Sequence, residues 1–148
     1  MSSDKKAKSF FVNGPVSPEK IAANIAAHQN KTHVGASQLF LGQVRADEVN
    51  GLKVTAIEYS AYEEMANAEI ARIREEIIVK YKLSCAHVYH SLGHIEAGQV
   101  CFFVSVSSPH REASTLACSE MVERIKKEVP VFGRELFEND SHQWKTNQ

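Results

Sequence analysis

His110 and Arg111 stand side by side, and Lys126 follows sixteen residues later, just ahead of Val129-Pro130-Val131-Phe132-Gly133-Arg134-Glu135. An imidazole, a guanidinium and an amine suit an anionic, phosphorylated substrate and attack or capture at a carboxyl-type carbon. Ser107-Ser108-Pro109 hands a buried strand over to a helix start, where free N–H groups and the positive end of the dipole favour an anion. The plainer reading is a capping or packed His110 and a solvated Arg111. Lys126 and Lys127 fall in the last turn, where lysines ordinarily complement the helix C-terminus. Register distinguishes Lys126: Met121, Val122, Ile125 and Val129 mark the buried side, Lys126 borders it, and Lys127 lies about 100° further round. A lysine at that border is partly desolvated, which lowers its pKa toward nucleophilic range. On one straight helix His110 and Lys126 are roughly 24 Å apart. They can share a small-molecule pocket only if a second copy brings its other helix end alongside, so a dimer with composite sites is expected.

Gln43-Val44-Arg45 ends a strand beside a hairpin, a usual place for ligand contacts, although Arg45 alone reads more readily as a surface arginine. Cys85-x-His87-x-x-His90-x-x-x-His94 invites a metal reading, but alternate strand residues face opposite ways and His87 and His90 diverge. They are taken as strand histidines, and no metal or cofactor is expected. The sequence contains no GxGxxG, P-loop, HExxH or GxSxG. The three cysteines, Cys85, Cys101 and Cys118, include no C-x-x-C and read as buried free thiols in a reducing cytosol.

The elements that position these groups can be traced along the chain. Residues 1–8 are polar, lysine-rich and expected to be disordered, and 9–12 form a brief edge strand. Ser17-Pro18-Glu19 starts a helix to about His28, with Ile21, Ala22, Ile25 and Ala26 as its apolar stripe. Residues 34–45 read as a strand, Asn50-Gly51 as a hairpin turn and 53–59 as the returning strand. Residues 62–81 form the longest helix, 84–92 a strand, 93–98 a turn-containing link and 99–107 an apolar strand; the helix from Pro109 runs to about Glu128. The result is one α+β domain over residues 1–148, mostly antiparallel, with helices on one side of the sheet. A net charge of −1 provides no global field to recruit nucleic acid, so any anion site is local. With 43% apolar and 24% charged residues the chain has a soluble composition, and no run approaches the roughly 20 apolar residues of a membrane span. A cytoplasmic protein without membrane or nucleic-acid partners is expected.

The ordered set Gly35-Ala36 to Gly42-Gln43-Val44-Arg45, Glu58-Tyr59 to Met65, His90-x-x-Gly93-x-Ile95-x-x-Gly98, Ser108-Pro109-His110-Arg111, Lys126 four residues before Pro130, and Glu135 to Trp144-Lys145-x-Asn147 resembles the large, catalytic subunit of molybdopterin synthase, the MoaE family, over nearly the full length. That resemblance implies an α/β-hammerhead fold and a homodimer within a heterotetramer. A small ubiquitin-like sulphur-carrier subunit, MoaD-like, would dock at each end and thread its C-terminal Gly-Gly thiocarboxylate into a pocket. There two sulphurs would pass to cyclic pyranopterin monophosphate. Carried over by position, Gln43, Val44, Arg45, His110, Arg111, Lys126, Gly133, Arg134 and Glu135 bind substrate, and Lys126 and Arg134 are catalytic. The alternative is a docking partner for such a carrier that has lost turnover. One departure stands out: the family has a tryptophan and a second lysine where this chain has Phe132 and Gly133. Arg134 would restore the charge but, staying protonated, not proton transfer.

Overall fold

The computed structural model describes residues 9–145, so the expected disorder of residues 1–8 and Asn147 of the tail motif lie outside it. In chain order the elements are β1 (Phe11–Asn13), α1 (Pro18–His28), β2 (Ala36–Gln43), β3 (Glu48–Val49), β4 (Leu52–Ala61), α2 (Glu63–Tyr81), β5 (Cys85–Glu96), β6 (Val100–Ser108), α3 (Arg111–Glu128), β7 (Val131–Phe137) and β8 (His142–Trp144). The strands form one sheet in the order β2-β6-β5-β4-β7-β8, with β1 beside β5 and β3 beside β4. Every pairing is antiparallel except that of β1 with β5. This is the α+β, mostly antiparallel architecture expected.

Local chemistry accounts for most element ends. Ser17 caps α1 by accepting from the Lys20 N–H, and Pro18 takes the first helical position. Asn50 and Gly51 both have positive φ, 51° and 80°, as a two-residue hairpin turn requires. α2 buries Ala66, Ile70, Ile73 and Ile77 along one face, and α3 buries Ala117, Cys118, Met121, Val122 and Ile125. Both helices close over Ala86, Val88, Phe102, Val104 and Val106 of the central strands. Each fully buried isoleucine or phenylalanine contributes about 1.5–3 kcal/mol through apolar burial.

Four expectations are corrected. Residues 93–96 are not a link: they continue β5 past Gly93 and pair with β4, His94 opposite Glu58, so the turn is confined to Ala97 and Gly98. The chain after Pro130 forms two further strands, β7 along the whole of β4 and β8 folded back on β7. The helices do not share one side. Ala86 and Val88 of β5 face α2 and α3, whereas Cys85, His87 and Tyr89 face α1, whose His28 contacts Cys85 and His87 and whose Lys20 ammonium lies 4.6 Å from the Tyr89 ring centroid. Finally, α1 does not bury its apolar stripe: Asn24 is its buried residue, Ile21 and His28 are half-buried, and Ala22, Ile25 and Ala26 are exposed.

Candidate functional site

The last turn of α3, the middle of β4 and the β7–β8 hairpin surround Lys126. Two adjoining cavities meet at this residue. The first, about 370 Å³, is lined by Tyr59, His90, Phe102, Gly133, Trp144 and Lys145 among others. The second, about 550 Å³, carries Gln43, Arg45, Cys101 and Glu135, and shares Tyr59, Lys126, Trp144 and Lys145 with the first.

Lys126 is half-buried, with its Nζ 5.4 Å from the Phe102 ring centroid. Burial lowers its pKa from the ordinary lysine value, and the positive charge of Lys145 pushes the same way, while Cys101 and Glu123 oppose the shift. His90, beneath it, is buried among the rings of Phe11, Tyr59 and Phe102. Its Nδ1 lies 2.8 Å from the Ser91 carbonyl oxygen, and burial drives its pKa down to about 4, so it is neutral near pH 7. The Tyr59 hydroxyl donates to Cys101 Sγ at 3.5 Å, and burial raises the phenol's pKa well above its usual range. The cleft therefore has an apolar floor, neutral hydrogen-bonding groups around it and cations at its rim.

Of the residues singled out in the sequence, Gln43, Arg45, Lys126, Gly133 and Glu135 line this pair of cavities. Gln43 is already engaged, its side-chain amide donating to the Gly98 carbonyl at 2.7 Å and pinning the β5–β6 turn. Val44 is a core side chain, 3% exposed, and shapes the cleft only through the backbone. Arg45 projects into solvent and reaches Asp47 at 3.3 Å. Glu135 is 6% exposed and accepts from Gln143 at 3.1 Å.

Three residues are placed elsewhere. His110 and Arg111 are exposed at the far end of α3 from Lys126, with His110 at the N-cap position but making no side-chain cap bond. Arg134 lies on the face of β7 opposite Gly133 and Glu135 and is ion-paired with Glu58. At Gly133 a Cβ would come within 3.1 Å of Ile57 Cγ2 and 3.2 Å of Tyr59 Cε1, so the absence of a side chain lets Tyr59 close against β7.

Lys145, Tyr59, His90 and Cys101 were not foreseen as cleft residues. Lys145 is the most informative of them. Its backbone N–H donates to the Gly133 carbonyl at 2.8 Å, which sets a second amine in the same cleft beside the position that lacks one. The signal available in the sequence was the pairing potential of 131–137 with 142–144.

A helix-flanked antiparallel sheet here holds a half-buried amine in a cleft with further cations at its rim, an arrangement that suits an anionic ligand. Residues 12–128 match the family model described as "MoaE protein". The chain is 38% identical over 125 residues to the molybdopterin synthase catalytic subunit of Bacillus subtilis (strain 168), covering 84% of this chain and 78% of that protein. The crystal structure of molybdopterin synthase from Staphylococcus aureus superposes with a TM-score of 0.78 at 29% identity, over 92% of this chain and 95% of that one. A complex of subunits 1 and 2 of molybdopterin-converting factor from Helicobacter pylori 26695 shares the fold, with a TM-score of 0.78 at 17% identity over 93% of this chain and 90% of that one. The chain belongs to the MoaE family.

Proposed function

We propose that the protein is the catalytic subunit of a molybdopterin synthase, a sulphurtransferase. In this reading it moves two sulphurs in sequence to cyclic pyranopterin monophosphate, each delivered by the thiocarboxylated Gly-Gly terminus of one small ubiquitin-like carrier, which leaves as the carboxylate. The observation that carries this is Lys126: an amine half-buried over Phe102, with its pKa lowered, where two cavities join. One cavity can admit the carrier's narrow tail and the other the substrate. Lys126 assists attack of sulphur on the pterin carbon and stabilises the charge that develops there. Arg45 and Glu135 contact the substrate, with Gln43 and Val44 holding the strand end that presents Arg45.

His110 and Arg111 join this site from a second copy of the chain, because within one copy they occupy the opposite end of α3 from Lys126. The working assembly is then a homodimer with a carrier at each end. Arg134 takes part only by exchanging Glu58 for the substrate's phosphate, whereas Lys145 already stands in the cleft as the second amine.

The test is reconstitution of the purified protein with a thiocarboxylated carrier and cyclic pyranopterin monophosphate. Dithiolene-containing product supports the synthase reading. A stable carrier complex without product would shift it to the docking partner. Mixed dimers of Lys126→Ala and His110→Ala chains should recover one working site per dimer if the pocket is composite; no recovery would assign each pocket to a single chain.

A further inference from the structure

On the face of the sheet away from the bulk of the core, α1 is turned against its own composition. Asn24 and His28, one helical turn apart, point inward, while Ile25 is 46% exposed. A helix that buries an amide while leaving Ile25 exposed is held by something other than apolar burial. What His28 meets is Cys85 and His87 of β5.

His28 Nδ1 lies 2.6 Å from the Asn24 carbonyl oxygen, which fixes the proton on that nitrogen and leaves Nε2 with its lone pair outward. Nε2 is 2.9 Å from Cys85 Sγ. His87, two residues along on the same side of the strand, brings its ring into edge contact with His28 at a centroid separation of 5.0 Å. One donor atom from each of His28, Cys85 and His87 lies within 4.8 Å of the other two. A backbone carbonyl holding the far nitrogen of a histidine is the arrangement that orients histidines toward metals.

We propose that His28, Cys85 and His87 form a binding site for a thiophilic divalent cation, zinc foremost, with one ion per chain. Two imidazoles and a thiolate suit zinc, which takes nitrogen at about 2.0–2.1 Å and sulphur at about 2.3 Å in a tetrahedron. Those bond lengths set the ligand atoms roughly 3.3–3.7 Å apart. The ion therefore enters by widening the Nε2–Sγ contact by several tenths of an ångström. Binding releases the Cys85 thiol proton to solvent, and the hydrogen bond between thiol and imidazole is replaced by two bonds to metal. The fourth position goes to water or to the Asn24 side-chain oxygen, a buried atom on the same helix face that makes no hydrogen bond among the described residues. His28 and His87 are only half-buried, so the site is reachable from solvent. The ion would clip the C-terminal end of α1 to the start of β5, remote in the fold from Lys126.

The sequence pattern pointed away from this site because His87 and His90 of β5 diverge, leaving only Cys85 and His87 on one side of the strand. The third ligand comes from a helix 57 residues earlier.

The experiment uses the untagged full chain, stripped with a chelator and titrated with Co²⁺ alone and then Zn²⁺. One equivalent of Co²⁺ should produce a thiolate-to-cobalt charge-transfer band and tetrahedral ligand-field bands, all displaced by Zn²⁺, and Zn²⁺ should raise the melting temperature. Both effects should vanish in Cys85→Ser and in His28→Gln and persist in Cys118→Ser. His28→Gln decides the matter if Cys85→Ser fails to fold, since His28 is half-exposed at a helix end. Cobalt bound without a thiolate band, or a band that survives His28→Gln, would overturn the site and leave a thiol hydrogen-bonded to an imidazole.

Discussion

Arg124 and Lys126 are two residues apart on α3 and meet opposite electrostatic conditions. Arg124 faces α2, bonding Glu76 of that helix at 3.0 Å and Glu128 of its own helix at 3.0 Å, and Arg72 completes the lattice through Glu69, Glu76 and Glu128. Hydrogen bonds to Glu128 and Glu76 raise Arg124's pKa, and those glutamates are lowered in return. Lys126 faces the cleft, where burial and the charge of Lys145 favour the neutral amine. On the helix–helix face every charge is stabilised by an opposite one in water. In the cleft a cation is partly buried and near a second cation, which weakens its hold on the proton. The first arrangement ties two helices together; the second prepares an amine for chemistry.

The sharpest way to break this comparison is to delete the amine. Lys126→Ala should reduce the rate of product formation by about 10²–10⁴-fold, the range for a positioned acid–base or charge-stabilising group, while carrier binding and the circular dichroism spectrum stay unchanged. Full sulphur transfer by the variant would remove Lys126 from the mechanism.

Next in size is the floor of the cleft. His90 has an ordinary pKa of 6.5 and a folded value of about 4, chiefly through burial, with the Lys126 charge adding to the effect. Between those values the unfolded chain binds a proton that the folded chain refuses, so stability is fully present above about pH 6.5 and falls as pH drops toward 4. The loss is on the order of 3 kcal/mol. Urea midpoints at pH 6.5 and 5.0 should show about half of it, above the ordinary value of 4.5 near which the lattice glutamates add their own loss. In His90→Gln the slope should flatten, whatever that variant's absolute stability. An unchanged slope would mean that some other group titrates.

A subtler effect separates the two amines. Lys145→Gln removes the positive charge that disfavours protonation of Lys126, so the pKa of Lys126 should rise. If the neutral amine is the acting form, single-turnover activity climbs with pH through that pKa, and the climb should move to higher pH in the variant. Lys80→Gln, whose native partner Glu120 is on the helix surface, should leave the profile in place. A Lys145→Gln profile that coincides with the parent's would show that Lys145 lines the cleft without acting on Lys126.

What could be read from the sequence divides along similar lines. Features set by near neighbours were legible. The Asn50-Gly51 turn follows from two residues that tolerate positive φ, the cap of α1 from Ser17-Pro18, and the half-burial of Lys126 from the register of Met121, Val122 and Ile125. Features set by remote pairing were not. Gly93, with φ of 89°, resembles a loop residue until β4 is laid beside His94 and Ile95. β7 has no core-like alternation because Gly133 and Glu135 face a polar cleft, and without β7 and β8 nothing placed Lys145 beside Gly133. Arg134 stands one residue beyond the position that lacks the lysine, and a one-residue step along a strand moves a side chain to the other face, where it meets Glu58.

The smallest effect belongs to the charge lattice itself, where the comparison is most easily overstated. Arg124→Gln removes two hydrogen-bonded ion pairs of good geometry, yet their carboxylates are between a third and a half exposed, and such pairs exchange solvation by water for contacts of similar strength. The melting temperature should fall by no more than about 4 °C, the difference between variant and parent should shrink as salt is raised, and product formation should not change. A larger loss would mean that the lattice holds α3, and with it Lys126, in place. The two faces of the helix would then be one mechanical unit, and activity should fall alongside stability. Measuring both on the same variant distinguishes an electrostatic clasp from a support for the cleft.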